Sequence, residues 1–160
     1  MTLPKHLRPR YRYLGVGIES WPDAELSRDR FQRQLWYAAQ NLLGDAVAAR
    51  LALSVRSFRL RDGVGEAIVR VRRGETERAR AALACLETVD GEPVGLRVRG
   101  ISGTRRACEE RYMGRSPQPV VQRRVVFGNA ERSGVLVDGR VDVRTDDGFT
   151  GAATLELETD

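Results

Sequence analysis

The chain has 160 residues, of which 41% are hydrophobic, enough for a packed core and one domain with an appendage, which excludes wholesale disorder. No apolar run approaches the roughly 18 residues of a membrane span, and residues 1–20 carry no signal-peptide-like apolar stretch, so a soluble, cytoplasmic protein with no membrane partner is expected. The net charge of +5 is unevenly placed: residues 1–127 hold 24 Lys and Arg against 14 Asp and Glu, whereas residues 128–160 hold 3 against 8. A basic body with an acidic tail predicts a polyanionic partner for the body.

Residues 1–12 carry Lys5, Arg8, Arg10 and Arg12 without an acid, and Pro4 and Pro9 forbid a continuous helix, which predicts an extended basic arm. In residues 13–19, Leu14, Val16 and Ile18 alternate as in a strand. Trp21-Pro22-Asp23 ends it, and Asp23 or Ser27 suits the cap of a following helix. Phe31, Leu35, Ala38, Ala39 and Leu42 then recur at helical spacing up to Gly44, with a second short turn over residues 46–49.

From Leu51 a second strand is predicted, with Leu51, Leu53 and Val55 on one face. Asp62-Gly63 is a hairpin turn into residues 66–72, where Ala67, Val69 and Val71 face inward and Ile68, Arg70 and Arg72 outward. Residues 75–87 form a helix with Ala79, Ala82, Leu83 and Leu86 as its apolar stripe. Asp90-Gly91 turns the chain into a fourth strand over residues 94–101, with Val94, Leu96 and Val98 on one face. Ser102-Gly103-Thr104 opens a short helix through Met113.

The order strand, helix, strand, strand, helix, strand predicts an α+β fold. It is a ferredoxin-like (RNA-recognition-motif-like) βαββαβ sandwich over residues 13–113, with one extra C-terminal helix. Residues 114–160 form the acidic extension. There residues 114–119 read as a loop, residues 120–127 suit a strand or a helix, residues 135–143 form a hairpin about Asp138-Gly139, and residues 150–157 suit a third short strand.

Residue types argue against catalysis by the protein itself. His6 is the only histidine and sits in the arm, so no triad or histidine pair is available to the core. Glu109 and Glu110 are adjacent on a helix and diverge, and Glu75 and Glu77 suit a helix N-terminus better than a metal. Cys85 and Cys108 are each expected as buried free thiols on helix faces, and with one histidine they cannot complete a zinc site. The glycines of Gly15-Val16-Gly17 lie inside a strand and lack a phosphate-loop lysine. An RNA-recognition motif stacks bases on strand aromatics, but the third strand here has none, so Arg70 and Arg72 point to phosphates and RNA shape, or simply to a solvated sheet face.

Three strings carry a resemblance: LPKHLRPRYRYL at 3–14, IVRVRR at 68–73 and RGISGTRRACEERYM at 99–113. In this order and spacing they resemble the archaeal ribonuclease P protein component 2 family, whose eukaryotic relatives are subunits of ribonuclease P and ribonuclease MRP. The resemblance covers residues 3–113 and not the tail. It implies an RNA-binding protein subunit that assists a catalytic RNA in removing the 5′ leader from precursor tRNA. The phosphodiester hydrolysis and its Mg2+ would then belong to the RNA, with no cofactor on the protein. It further implies a protein partner, ribonuclease P protein component 3, in a heterotetramer with two copies of each. Carried over by position, Lys5, Arg8, Arg10 and Arg12 are RNA contacts, with Ser102, Thr104, Arg105 and Arg106 at a helix start that receives phosphate. Arginine at both positions after Thr104 departs from the family pattern. The rival readings are a generic ferredoxin-like RNA-binding protein, such as a ribosomal one, and a metabolic ferredoxin-like protein, which would need a polar-lined pocket.

Overall fold

A computed structural model describes residues 2–114, 121–127, 130–137, 140–145 and 148–153. It divides into two compact units, Met1–Arg115 and Ser116–Asp160. In the first, a 3-10 turn at Lys5–Leu7 precedes β1 (Tyr11–Ser20), α1 (Arg28–Leu43), α2 (Asp45–Leu51), β2 (Ser54–Arg61), β3 (Val64–Arg72), α3 (Thr76–Ala84), β4 (Thr88–Val89), β5 (Glu92–Ser102) and α4 (Arg105–Tyr112). The antiparallel sheet has the order β2-β3-β1-β5-β4. Without the two-residue β4 this is the ferredoxin-like βαββαβ arrangement expected from the element order.

Alternation along the strands explains why the core forms where it does. Leu14, Val16 and Ile18 of β1 share one face with Ala67, Val69 and Val71 of β3, and all are buried. α1 covers that face with Phe31, Leu35 and Ala39, and α3 with Ala79, Ala82 and Leu83. Each large side chain so buried stabilises the fold by roughly 1.5–3 kcal/mol relative to exposure. Ser27 caps α1, its hydroxyl accepting from the Arg30 amide at 3.3 Å. Asp62-Gly63 and Asp90-Gly91 all have positive φ, the backbone that a tight two-residue hairpin turn requires, which is why these Asp-Gly pairs turn the chain.

Several local expectations are corrected. β1 begins at Tyr11, so Tyr11 and Arg12 belong to the sheet, and the arm before them contains a 3-10 turn rather than running extended throughout. Leu51 ends α2 and β2 starts at Ser54, although Leu51, Leu53 and Val55 are all buried. The reason is Gln32 of α1, whose amide nitrogen donates to the Leu53 carbonyl at 3.3 Å while its oxygen accepts from Val55 N at 2.6 Å. Side-chain bonds thus take the place of a sheet partner there. Leu42 is 45% exposed, because Leu43 and Leu51 fill that end of the core. Cys85 is exposed, since α3 ends at Ala84 and the chain turns Leu86 inward instead.

The largest correction concerns the second face of the sheet. Ile68, expected outward, is 1% exposed. α4 packs across this face against β1, β3 and β5. It fits because the strands carry glycines beneath it: a Cβ at Gly15 would stand 2.7 Å from Tyr112 Cβ, and one at Gly100 would overlap the Tyr112 ring. Cys108 of α4 is fully buried, and burial, reinforced by Glu109, pushes its thiol up to about 11.

The second unit is a meander in the order β6-β7-β8-β9, comprising β6 (Val121–Phe127), β7 (Ala130–Val137), β8 (Arg140–Thr145) and β9 (Gly148–Ala153). Residues 121–127 are therefore strand, and the hairpin expected over residues 135–143 is the β7–β8 pair, with Gly134 opposite Val143 and both buried. The final strand spans residues 148–153. The loop expected after Gly114, the turn at Asp138-Gly139 and residues 154–157 lie outside the described residues.

Candidate nucleic-acid interface

Antiparallel pairing gathers most of the candidate residues at one end of the sheet. Tyr11 lies opposite Arg72, Tyr13 opposite Arg70, and Tyr13 on its other side opposite Ser102. The start of β1 therefore sits between the ends of β3 and β5, and the arm leaves from the same place. Arg73 continues the join, its amide donating to the Arg10 carbonyl at 2.9 Å.

Within the arm, Lys5, Arg8 and Arg10 are exposed. Arg8 Nε donates to the Leu3 carbonyl at 2.8 Å, which closes the 3-10 turn into a small loop. Arg12 is half-buried, with a guanidinium nitrogen 2.8 Å from where a Cβ on Gly103 would lie. Arg72 is exposed, as a cation awaiting a partner would be. Arg70 is half-buried, and its guanidinium lies over the Tyr11 ring at 4.1 Å from the centroid. A cation held on a ring face is worth about 0.5–2 kcal/mol. Its Nε is buried without a hydrogen-bond partner.

At the start of α4, Thr104 acts as cap, accepting from Ala107 N at 3.1 Å. The Arg105 and Arg106 side chains run along the helix to Glu109 and Glu110, at 3.1 and 3.0 Å, so the structure places both in exposed intrahelical ion pairs. Ser102 is buried, and its hydroxyl has no hydrogen-bond partner. Among the described residues no group of three or more His, Cys, Asp or Glu is arranged to hold a metal ion. No helix among them is long and apolar enough to cross a membrane.

Sequence reasoning missed Arg73 and the residues that dock α4. Arg99, in the bulge of β5 opposite the Gly15/Val16 junction, donates to Glu66 of β3 and to the Tyr112 carbonyl, both at 2.8 Å. Glu66 also accepts from the Gly114 amide at 3.0 Å. The available signal was glycine itself: a strand interior with Gly15, Gly17 and Gly100 marks a close approach by another element.

Comparison with known proteins matches residues 12–113 to the Rpp14/Pop5 family. The chain is 59% identical over 156 residues to "Ribonuclease P protein component 2" of Halorubrum lacusprofundi, covering 98% of each chain. To the protein of the same name from Thermococcus kodakarensis it is 29% identical over 111 residues, 69% of this chain and 89% of that one. Among solved structures, a chain of "Cryo-EM structure of yeast Ribonuclease MRP" aligns with 62% of this chain and 79% of its own length, at TM-score 0.45 and 16% identity. From the match over residues 12–113 and the relative that is 59% identical across nearly its whole length, the chain belongs to the Rpp14/Pop5 family.

Proposed function

We propose that the chain is a protein subunit of ribonuclease P, assisting the catalytic RNA in endonucleolytic removal of the 5′ leader from precursor tRNA. The observation that carries this reading is the convergence, in a chain of this family, of the arm, Arg12, Arg70, Arg72, Arg73 and the start of α4 at one sheet end. Strongly folded RNA brings phosphates close together, and their repulsion is otherwise screened by bound cations. Arginines on a rigid sheet edge, extended by an arm, replace part of that screening and hold the RNA in register. Recognition runs through phosphates rather than bases, because α4 lies where an RNA-recognition motif leaves its sheet open, and Arg70 occupies one face of Tyr11.

In this reading the hydrolysis and its Mg2+ reside on the RNA, and the protein supplies no cofactor. Its partners are the ribonuclease P RNA, precursor tRNA and ribonuclease P protein component 3, in a cytoplasmic assembly with two copies of each protein. The test is reconstitution. The chain alone leaves precursor tRNA intact at every Mg2+ concentration, and added to the cognate RNA with component 3 it lowers the Mg2+ needed for cleavage. Asp23→Asn, Glu109→Gln and Glu110→Gln leave the cleavage step of the saturated complex within a few-fold. Abolition of cleavage by one of these, with assembly intact, overturns the reading.

A further inference from the structure

We propose that Ser102, Arg12 and the first turn of α4 form a single pocket that takes one backbone phosphate of the RNA. This rests on the RNA-binding reading above and adds to it a defined ligand group and the atoms that hold it.

Four observations converge here. Ser102 is 6% exposed, and its hydroxyl has no hydrogen-bond partner. Its direction follows from the strand: Gly100 presents its Cβ position to Tyr112 of α4, and Ser102, two residues on, points to that same side, beneath the start of the helix. The Arg12 guanidinium is placed by Gly103, the residue between Ser102 and the Thr104 cap, where the lack of a side chain leaves it room. Finally, the first turn of α4 contains no acid and begins with two arginines, the reverse of what its dipole favours.

An anion at this corner resolves all four. Thr104 satisfies the Ala107 amide, so the amides of Arg105 and Arg106, which have no carbonyl within the helix to pair with, remain to donate. The Ser102 hydroxyl donates from below and the Arg12 guanidinium from the side. The Arg105 and Arg106 side chains are already paired along the helix, so they contribute backbone amides and not guanidinium groups. A buried hydroxyl without a partner is a cost to the free protein that only a ligand removes.

The full chain is titrated with inorganic phosphate while the amides of Gly103, Arg105 and Arg106 are followed by NMR, and then with the ribonuclease P RNA. Saturable shifts confined to this corner are expected, and RNA should displace the phosphate from it. Ser102→Ala should weaken phosphate binding at least about five-fold with an unchanged or higher thermal midpoint, since it also removes the unpartnered hydroxyl. Arg12→Gln, at a half-exposed position, should lower the salt slope of RNA binding by about one phosphate contact, roughly 0.7–0.9. If RNA binds but these amides never respond, or if Ser102→Ala destabilises the fold and leaves phosphate affinity unchanged, the pocket is wrong and the RNA-binding reading stands. If phosphate binds there and RNA leaves it in place, the ligand is free phosphate and this proposal fails. If the wild-type chain does not bind the RNA at all, the ribonuclease P reading itself fails.

Discussion

Arg99 reaches from β5 across β1 to place its guanidinium 2.8 Å from the Glu66 carboxylate on β3. It crosses at Gly17, where a Cβ would stand 3.1 Å from its Nε. The same guanidinium holds the Tyr112 carbonyl and the same carboxylate holds the Gly114 amide, so one ion pair fastens the end of α4 to three strands. With side chains only 26% and 13% exposed, the pair is shielded more than a surface salt bridge.

Breaking this pair should loosen α4. Arg99→Ala is expected to cost about 2 kcal/mol, less than the 3–5 of a fully buried pair because both groups retain some water. Glu66→Gln should cost about half as much, as its amide still accepts from Gly114. Urea denaturation of the single and double variants measures the coupling, expected at about 1–2 kcal/mol. Additive effects would show that the pair does not fasten the helix.

Gly100→Ala should displace the Tyr112 ring and cost about 1–3 kcal/mol as overpacking. The effect should shrink in a Tyr112→Ala background, where the space is already open. Thermal midpoints of the four proteins decide this. An equal penalty in both backgrounds would place the strain in the strand instead.

Replacing Arg8, Arg10 and Arg12 with alanine should weaken RNA binding and flatten its dependence on salt. Each lost phosphate contact lowers the slope of log K against log salt by roughly 0.7–0.9. Filter binding at several salt concentrations measures it. An unchanged slope would mean that the arm contributes no phosphate contacts.

The two cysteines should behave differently. Cys85 is exposed and Cys108 fully buried, so a thiol reagent should label one cysteine in the folded protein and both after denaturation. The raised Cys108 value has a linkage consequence. The folded state holds the thiol proton more tightly than the unfolded chain, so this stability is complete below pH about 9 and is lost as pH rises towards about 11. A two-unit difference corresponds to at most ~3 kcal/mol. Cys108→Ala should lack that part of the alkaline decline, and identical pH profiles for variant and wild type would refute it.

Much of this protein is legible in its sequence because local chemistry specifies it. Alternation of Leu14, Val16 and Ile18 and of Ala67, Val69 and Val71 identifies the core face without any knowledge of pairing. The Asp-Gly turns and the Ser27 and Thr104 caps depend only on their immediate neighbours. The cation-rich arm is visible as composition. Ile68, Leu42 and Cys85 were misassigned because periodicity reports the direction of a side chain and not whether another element reaches it.

The sequence by itself thus determined the βαββαβ order, its inward residues and its basic arm. Only the tertiary structure decided that α4 lies on the second face, that Arg99 and Glu66 hold it there, and that Arg12 meets the Ser102–Thr104 corner. Those relationships join residues 33 to about 90 positions apart, and they depend on strand register, on a bulge at Arg99 and on the absence of side chains at Gly15, Gly17, Gly100 and Gly103. A glycine states that room is needed, but the element that fills the room is selected by the packing of the whole sheet.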